Sequence, residues 1–289
     1  PKVLSELPLR NIVSWSALIA GYAERGKINE ALNCFERMQR EGFSPNAVTF
    51  TCILKACGSI GALDKGQQIH NDIVNMGFLE KDSLLGNALL DMYAKCGALA
   101  KAKRTFDEFS VRDLVSWNSL ITGYASQGRV DEALYYIEMM QIEGLFPDAV
   151  TYISILKECG STQRIELGEQ IHDDIVDTGL LEKHIILGNA LVDMYAKFES
   201  IPDAERVFAM LPMRDIITWS ALIAGYIHCG HLEEAMQRYE MMQGNGVEPN
   251  HITFVSILKA CTRSIEALDL GRFIHGYIML KEHMTAAVI

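Results

Sequence analysis

Apolar residues in this chain recur at helical spacing, and the stripes come in pairs. Trp15, Leu18, Ile19 and Tyr22 fall at i, i+3, i+4 and i+7, one face of an α-helix. Gly26 breaks that stripe. Ile28, Ala31, Leu32, Phe35 and Met38 form a second one, which Gly42 and Pro45 end. Gly144 with Pro147 and Gly246 with Pro249 repeat the stop. Pro202 lies at the start of a second helix, where a missing N–H costs little. No stretch sustains the period-2 alternation of a strand, and connections of about two to six residues suit antiparallel helix pairs.

The pairs themselves repeat. The three tryptophans, Trp15, Trp117 and Trp219, are each 102 residues from the next, and their surroundings travel with them. VSWSALIAGYAERGKINEAL at 13–32 becomes VSWNSLITGYASQGRVDEAL at 115–134 and ITWSALIAGYIHCGHLEEAM at 217–236. Each block divides into three helical pairs: Ile12–Asn46 (35 residues), Ala47–Asp82 (36) and Ser83–Asp113 (31), then Leu114–Asp148, Ala149–His184 and Ile185–Asp215. A third block begins with Ile216–Asn250 and runs into an atypical repeat at 251–289, with one extra residue near Arg263. Residues 2–11 match 206–215, so residues 1–11 are expected to be the end of an S repeat, and the chain to open at the end of a repeat, to close inside one, and to be a piece of a longer protein. The periodicity predicts an all-α solenoid in which each pair buries its apolar face against its neighbours.

These strings resemble pentatricopeptide repeats of the plant organellar type, in which P, L and S repeats alternate at about these lengths. The diagnostic stretches are VSWSALIAGY…EALNCFERMQREGFSPN for P, VTFTCILKACGSIGALDKGQQIH for L and LLGNALLDMYAKCGALAKAKRTFDE for S. The resemblance covers nearly the whole chain. It implies a right-handed superhelix of helix-turn-helix repeats that binds single-stranded RNA along its concave groove, reading about one base per repeat. It also implies a mitochondrial or chloroplast location and a role in RNA processing, chiefly the choice of cytidines for C-to-U editing. The L repeats of this class are expected to dock an organellar editing-factor protein.

In such proteins the fifth and last residues of a repeat read the base, and an apolar second residue packs on it. Here the P repeats carry Ser16 with Asn46, Asn118 with Asp148, and Ser220 with Asn250. The S repeats carry Asn87 with Asp113 and Asn189 with Asp215. Among the L repeats, Thr51 with Asp82 would favour guanine, whereas Ile153 with His184, and Val255, offer no polar pair. The second residues are Val13, Val48, Leu84, Val115, Val150, Ile186 and Ile217. Amide, carboxylate and hydroxyl present different donor and acceptor sets. By the family's pattern, Ser with Asn favours adenine and Asn with Asp favours uracil. The expected target is A-(G)-U-U-N-U-A-N, the bracketed base resting on an L repeat. The competing reading is that Asn46, Asp148 and Asn250 simply cap the helix that follows; the two roles are compatible. Ser16 lies roughly 100° from Trp15 on the helical wheel, at the margin of the buried stripe.

Charge complicates the RNA reading. The chain has 26 basic and 37 acidic residues, a net −11, whereas phosphate binding draws on clustered Lys and Arg. That balance suits a second expectation, a protein-interaction scaffold of tetratricopeptide type. Lys95 and Lys197 share one place in the S repeats, and Lys55, Lys157 and Lys259 share one in the L repeats. Each set is either a phosphate-contacting stripe or a helix-end charge that complements the dipole. Gly86 and Gly188 replace the P-repeat tryptophan in S repeats, which predicts closer helix packing there.

Enzyme chemistry is not expected within the chain. Its H-x-E, His231-Leu232-Glu233, occupies a repeat turn, and no C-x-x-C accompanies it as a zinc deaminase would need. His70, His172 and His275 recur in the L repeats, as do Cys57, Cys159 and Cys261. One His and one Cys per repeat fall short of a closed tetrahedral site, so packing roles are expected, with no metal and no cofactor. The remaining cysteines are scattered and read as reduced apolar residues.

Overall fold

A computed structural model describes residues 11–78, 83–109 and 112–261, and every element among them is helical. The chain divides into two compact halves between Pro147 and Asp148.

The first half holds four hairpins. They are α1 (Ile12–Glu24) with α2 (Ile28–Arg40), α3 (Ala47–Ile60) with α4 (Leu63–Asn75), α5 (Ser83–Lys95) with α6 (Leu99–Asp107), and α7 (Leu114–Ser126) with α8 (Val130–Ile142). Each leading helix packs on its own return helix and on the next leading helix, giving the run α1, α3, α5, α7. The second half repeats this with α9 (Ala149–Thr162) and α10 (Ile165–Asp177), α11 (Ile185–Lys197) and α12 (Ile201–Met210), α13 (Ile216–His228) and α14 (Leu232–Gly244), then α15 (His251–Cys261). Pro202 lies in the first turn of α12, as expected. No helix among the described residues is long and apolar enough to cross a membrane.

The tryptophans bind one repeat to the next. Trp117 meets Phe106 of the preceding return helix edge-on at 4.7 Å, and Trp219 meets Phe208 at the same distance. Arg112 and Arg214 lie over the rings of those phenylalanines at 4.8 and 4.9 Å. The Gly of each Gly-Tyr pair serves the same junction. A Cβ on Gly123 would lie 2.7 Å from Ala94 Cβ and one on Gly225 2.7 Å from Ala196 Cβ, so α7 reaches α5, and α13 reaches α11, only because glycine is there.

The S-repeat glycines do something other than expected. A Cβ on Gly86 would fall 2.8 Å from the Phe109 ring, and one on Gly188 2.2 Å from Leu211 Cδ2. Where P repeats hold an indole, S repeats accept a side chain from beyond the return helix. The vacated volume is refilled by that side chain, and this, rather than closer helix packing, is what the glycine allows.

Turns between the helices rest on left-handed residues. Gly26 ends α1 at φ +69°, with its N–H on Ala23 O and the Lys27 N–H on Tyr22 O, a Schellman closure. Gly61 and Gly97 do the same in the first half, but their counterparts 102 residues on are Gln163 (φ 58°) and Glu199 (φ 59°). A non-glycine residue there costs about 1–2 kcal/mol of backbone strain. Gln163 recovers some of it by donating Nε2 to Lys197 O at 2.7 Å. Glu199 has only an exposed contact with His228 at 3.6 Å. Glu199→Gly is therefore expected to stabilise the chain by about 0.5–1 kcal/mol net of the flexibility it adds to the unfolded state, read as a higher thermal midpoint. A lower midpoint would show that Glu199 holds something beyond its turn.

Candidate nucleic-acid interface

Each leading helix needs acceptors for its first backbone N–H groups, and where the last residue of the preceding repeat is a described Asn or Asp it supplies one. Asn46 Oδ1 accepts from Thr49 N at 2.9 Å, Asp113 Oδ1 from Ser116 N at 2.8 Å, and Asp215 Oδ1 from Thr218 N at 2.9 Å. Asp148 and Asn250 cap α9 and α15 in the same way. His184 stands at the start of α11 with no side-chain cap bond. Capping is thus real, and it leaves lone pairs and amide hydrogens over.

Those remaining groups turn to the fifth residue of the same repeat. Asn87 Nδ2 donates to both Asp113 oxygens at 3.2 and 3.0 Å. Asn189 Nδ2 donates to both Asp215 oxygens at 3.2 and 3.3 Å. Ser16 Oγ lies 3.4 Å from Asn46 Oδ1. Ser220 reaches the Asn250 cap through Thr253, whose hydroxyl is 2.7 Å from Ser220 Oγ and 3.1 Å from Asn250 Oδ1. Asn118 is buried on α7, and Asp148 caps α9 in the other half. Thr51 is buried with its hydroxyl unpaired, while Asp82 lies outside the described residues. All of these fifth residues are more buried than a margin position implies; Ser16 is only 7% exposed.

The second residues are the reverse. Val13, Val48, Leu84, Val115, Val150, Ile186 and Ile217 are between 54% and 72% exposed, though each is a large aliphatic. Ile252, at the same place in the last repeat and not singled out from sequence, is 52% exposed. Scattered exposed aliphatics are ordinary; one at the same position of every described repeat is a built surface. Each half therefore carries, at the start of its leading helices, bare aliphatic side chains beside recessed polar groups.

The lysines are engaged. Lys95 Nζ lies 2.7 Å from Asp91 Oδ2 and Lys197 Nζ 2.6 Å from Asp193 Oδ2, each one helical turn back. Both end their helices, as the dipole reading requires. Lys55 and Lys157 are exposed on α3 and α9; the side chain of Lys259 is outside the description. His70 and His172 do not face their cysteines. Their Nδ1 atoms meet Tyr93 and Tyr195 hydroxyls at 2.7 and 2.8 Å, a partner that the shared 102-residue spacing would have revealed. Burial lowers both imidazole pKa values and pushes the Tyr195 hydroxyl up to about 12. Burial likewise raises the Cys57 and Cys159 thiols to about 11, so both are inert apolar filling. His275 and Cys261 fall where no side chain is described. His231 sits in the turn before α14, 3.6 Å from Glu234.

The profile of the PPR repeat family matches residues 10–59, 112–161 and 214–263, over half of the chain, and that of the single PPR repeat matches 48–78 and 87–114. The chain belongs to the pentatricopeptide repeat family. A pentatricopeptide repeat-containing protein of Arabidopsis thaliana is 39% identical over 88% of the chain and 34% of its own length. Two more from that plant, named mitochondrial and chloroplastic, are each 37% identical over 96% of the chain and over 40% and 45% of their own lengths. The chain thus spans less than half of these relatives. Its fold matches the crystal structure of the pentatricopeptide repeat protein PPR10 in complex with an 18-nt psaJ RNA element, at a TM-score of 0.71 and 21% identity over 97% of the chain and 42% of PPR10.

Asp215 allows a test of the cap. Burial alone would raise its pKa, but hydrogen bonds from Thr218, Asn189 and Ile217 outweigh that and hold it below the ordinary 3.8. A carboxylate of lowered pKa contributes stability that is complete above its unfolded value and lost as pH falls through its folded one. The stability gap between the parent chain and Asp215→Asn should therefore be level from pH 7 to about pH 5 and close only below about pH 4. Closure near neutrality in urea titrations would contradict the cap.

Proposed function

We propose that this chain is a single-stranded RNA-binding array that reads about one base per repeat and selects sites for RNA processing in a mitochondrion or chloroplast. The observation that carries this reading is the pairing of recessed fifth and last residues beside a bare aliphatic second residue. An aliphatic edge can cover one face of an unstacked base, while Asn, Asp and Ser groups meet its Watson–Crick edge. The PPR10 likeness supports the same chemistry, and the organelle names of the relatives support the location. Site selection for C-to-U editing is the finer proposal, carried by the P-L-S order of repeats. The chemistry itself would belong to another domain or protein, and an organellar editing factor is the expected partner at the L repeats.

The net charge of −11 favours the rival scaffold reading. Binding of the 289-residue chain to A-(G)-U-U-N-U-A-N, against the same RNA with A and U exchanged, decides between them at matched salt. Each exchanged base should weaken binding about fivefold to tenfold, the worth of roughly one hydrogen bond. Recoding Asn189→Ser together with Asp215→Asn should move the preference at the sixth base from U to A. Equal affinity of the parent chain for both RNAs would leave the scaffold reading standing.

A further inference from the structure

The third residue of each P and L repeat is a hydroxyl residue, fully buried wherever its repeat has a described predecessor. Thr49, Ser116, Thr151, Thr218 and Thr253 are each 0% exposed. The four threonines place their hydroxyls on the side-chain oxygen of the preceding repeat's last residue. Thr49 Oγ1 is 2.8 Å from Asn46 Oδ1, Thr151 Oγ1 3.1 Å from Asp148 Oδ1, Thr218 Oγ1 2.9 Å from Asp215 Oδ1, and Thr253 Oγ1 3.1 Å from Asn250 Oδ1. The serines do not. Ser14 donates to the Asn11 backbone carbonyl at 2.8 Å and Ser116 to that of Asp113 at 2.7 Å. The extra methyl of threonine restricts χ1, whereas serine is free to turn its hydroxyl to the main chain.

Thr49, Thr218 and Thr253 also touch the fifth residue of the preceding repeat. Thr49 meets Ser16 Oγ at 2.7 Å, Thr253 meets Ser220 Oγ at 2.7 Å, and Thr218 donates to Asn189 Oδ1 at 2.5 Å. In the last case the consequence is specific. The carboxamide of Asn189 is held at both ends, oxygen by Thr218 and nitrogen by Asp215. Its one remaining N–H and its remaining lone pair then point in set directions. At Asn87 only the nitrogen end is held, because Ser116 has turned away.

We infer that the third residue of the following repeat positions the base-reading pair: threonine there fixes the donor and acceptor pattern of the pair before it, and serine leaves it looser. The inference rests on the base-reading assignment above. It also accounts for the L repeats, whose successors carry buried Leu85 and Leu187 in this place and so supply no hydroxyl at all.

The test measures binding of the 289-residue chain to the expected eight-base RNA, with each base varied in turn. In Thr218→Val, which keeps the shape and loses the hydroxyl, preference at the sixth base should fall about fivefold while the third base is unaffected. In Ser116→Thr, preference at the third base should rise by a few-fold, a gain that no folding defect can imitate. If the parent chain discriminates at both bases and neither variant changes this, the positioning role is wrong and base reading survives. If Thr218→Val weakens all positions alike, its hydroxyl is only structural and the inference fails. If the parent chain shows no preference at either base, the reading assignment fails and the inference with it. Should Thr218→Val not fold, Ser116→Thr decides alone.

Discussion

The N-terminal cap of each leading helix is the contact on which both the stack and the surface depend. A helix start buried against its neighbours leaves backbone donors that water cannot reach, and an Asn or Asp just before it supplies the acceptor. In a repeat array that residue is also the last of the previous repeat. Its position is therefore fixed by two helices, and its spare atoms are delivered to the same place each time. Asp215 shows the economy: one carboxylate accepts from two backbone N–H groups and one carboxamide, with the Thr218 hydroxyl 2.9 Å away. A side chain so restrained loses little freedom on meeting a ligand, which is what selective recognition by small polar groups needs.

Much of this was legible in the sequence because period and burial are coupled. A residue recurring every 102 positions sits in the same environment each time, so Trp15, Trp117 and Trp219 announced a common core site. The second, fifth and last residues were legible for a different reason, through resemblance; what the structure adds is that the described second residues are bare and the described polar fifth residues are buried. What stayed hidden depends on distances between repeats. Thr49 and Thr218 look like ordinary helix-start residues until the neighbouring fifth residue is seen against their hydroxyls. Gly86 and Gly188 read as close-packing sites because sequence does not show which side chain will enter the space. Phe109 and Leu211, which fill it, follow the return helix and differ from each other. Gln163 and Glu199 were hidden too, since a polar residue in place of a turn glycine gives no sign of its left-handed backbone.

Net charge is a poor guide to this interface for a related reason. Lys95 and Lys197 lie beside carboxylates one turn back on their own helices, so part of the basic charge is balanced locally. Recognition by hydrogen bonds and apolar packing against bases does not need a basic groove. The salient surface property is instead the row of aliphatic second residues. Burying each against one base would recover apolar area that the fold alone leaves in water.

Repeat type then has a physical meaning beyond length. P repeats are followed by a Thr and S repeats by a Ser or Thr in this place; the threonines complete the cap network, and the fifth residues of both repeat types are polar. L repeats are followed by leucine, and two of their three fifth residues, Ile153 and Val255, are aliphatic. Replacing a buried hydroxyl by Leu85 or Leu187 exchanges a polar clamp for core volume, which stabilises the junction without orienting the fifth residue before it. The glycine that comes next, Gly86 or Gly188, admits a side chain from its own repeat's end and so adds to the core of the S repeat itself. The L-to-S boundary is thus built as hydrophobic core, whereas, within each half, the boundaries around P repeats are built as hydrogen-bonded core. An array that alternates the two holds its proposed reading positions in place where polar pairs occur and gives the remaining junctions to cohesion.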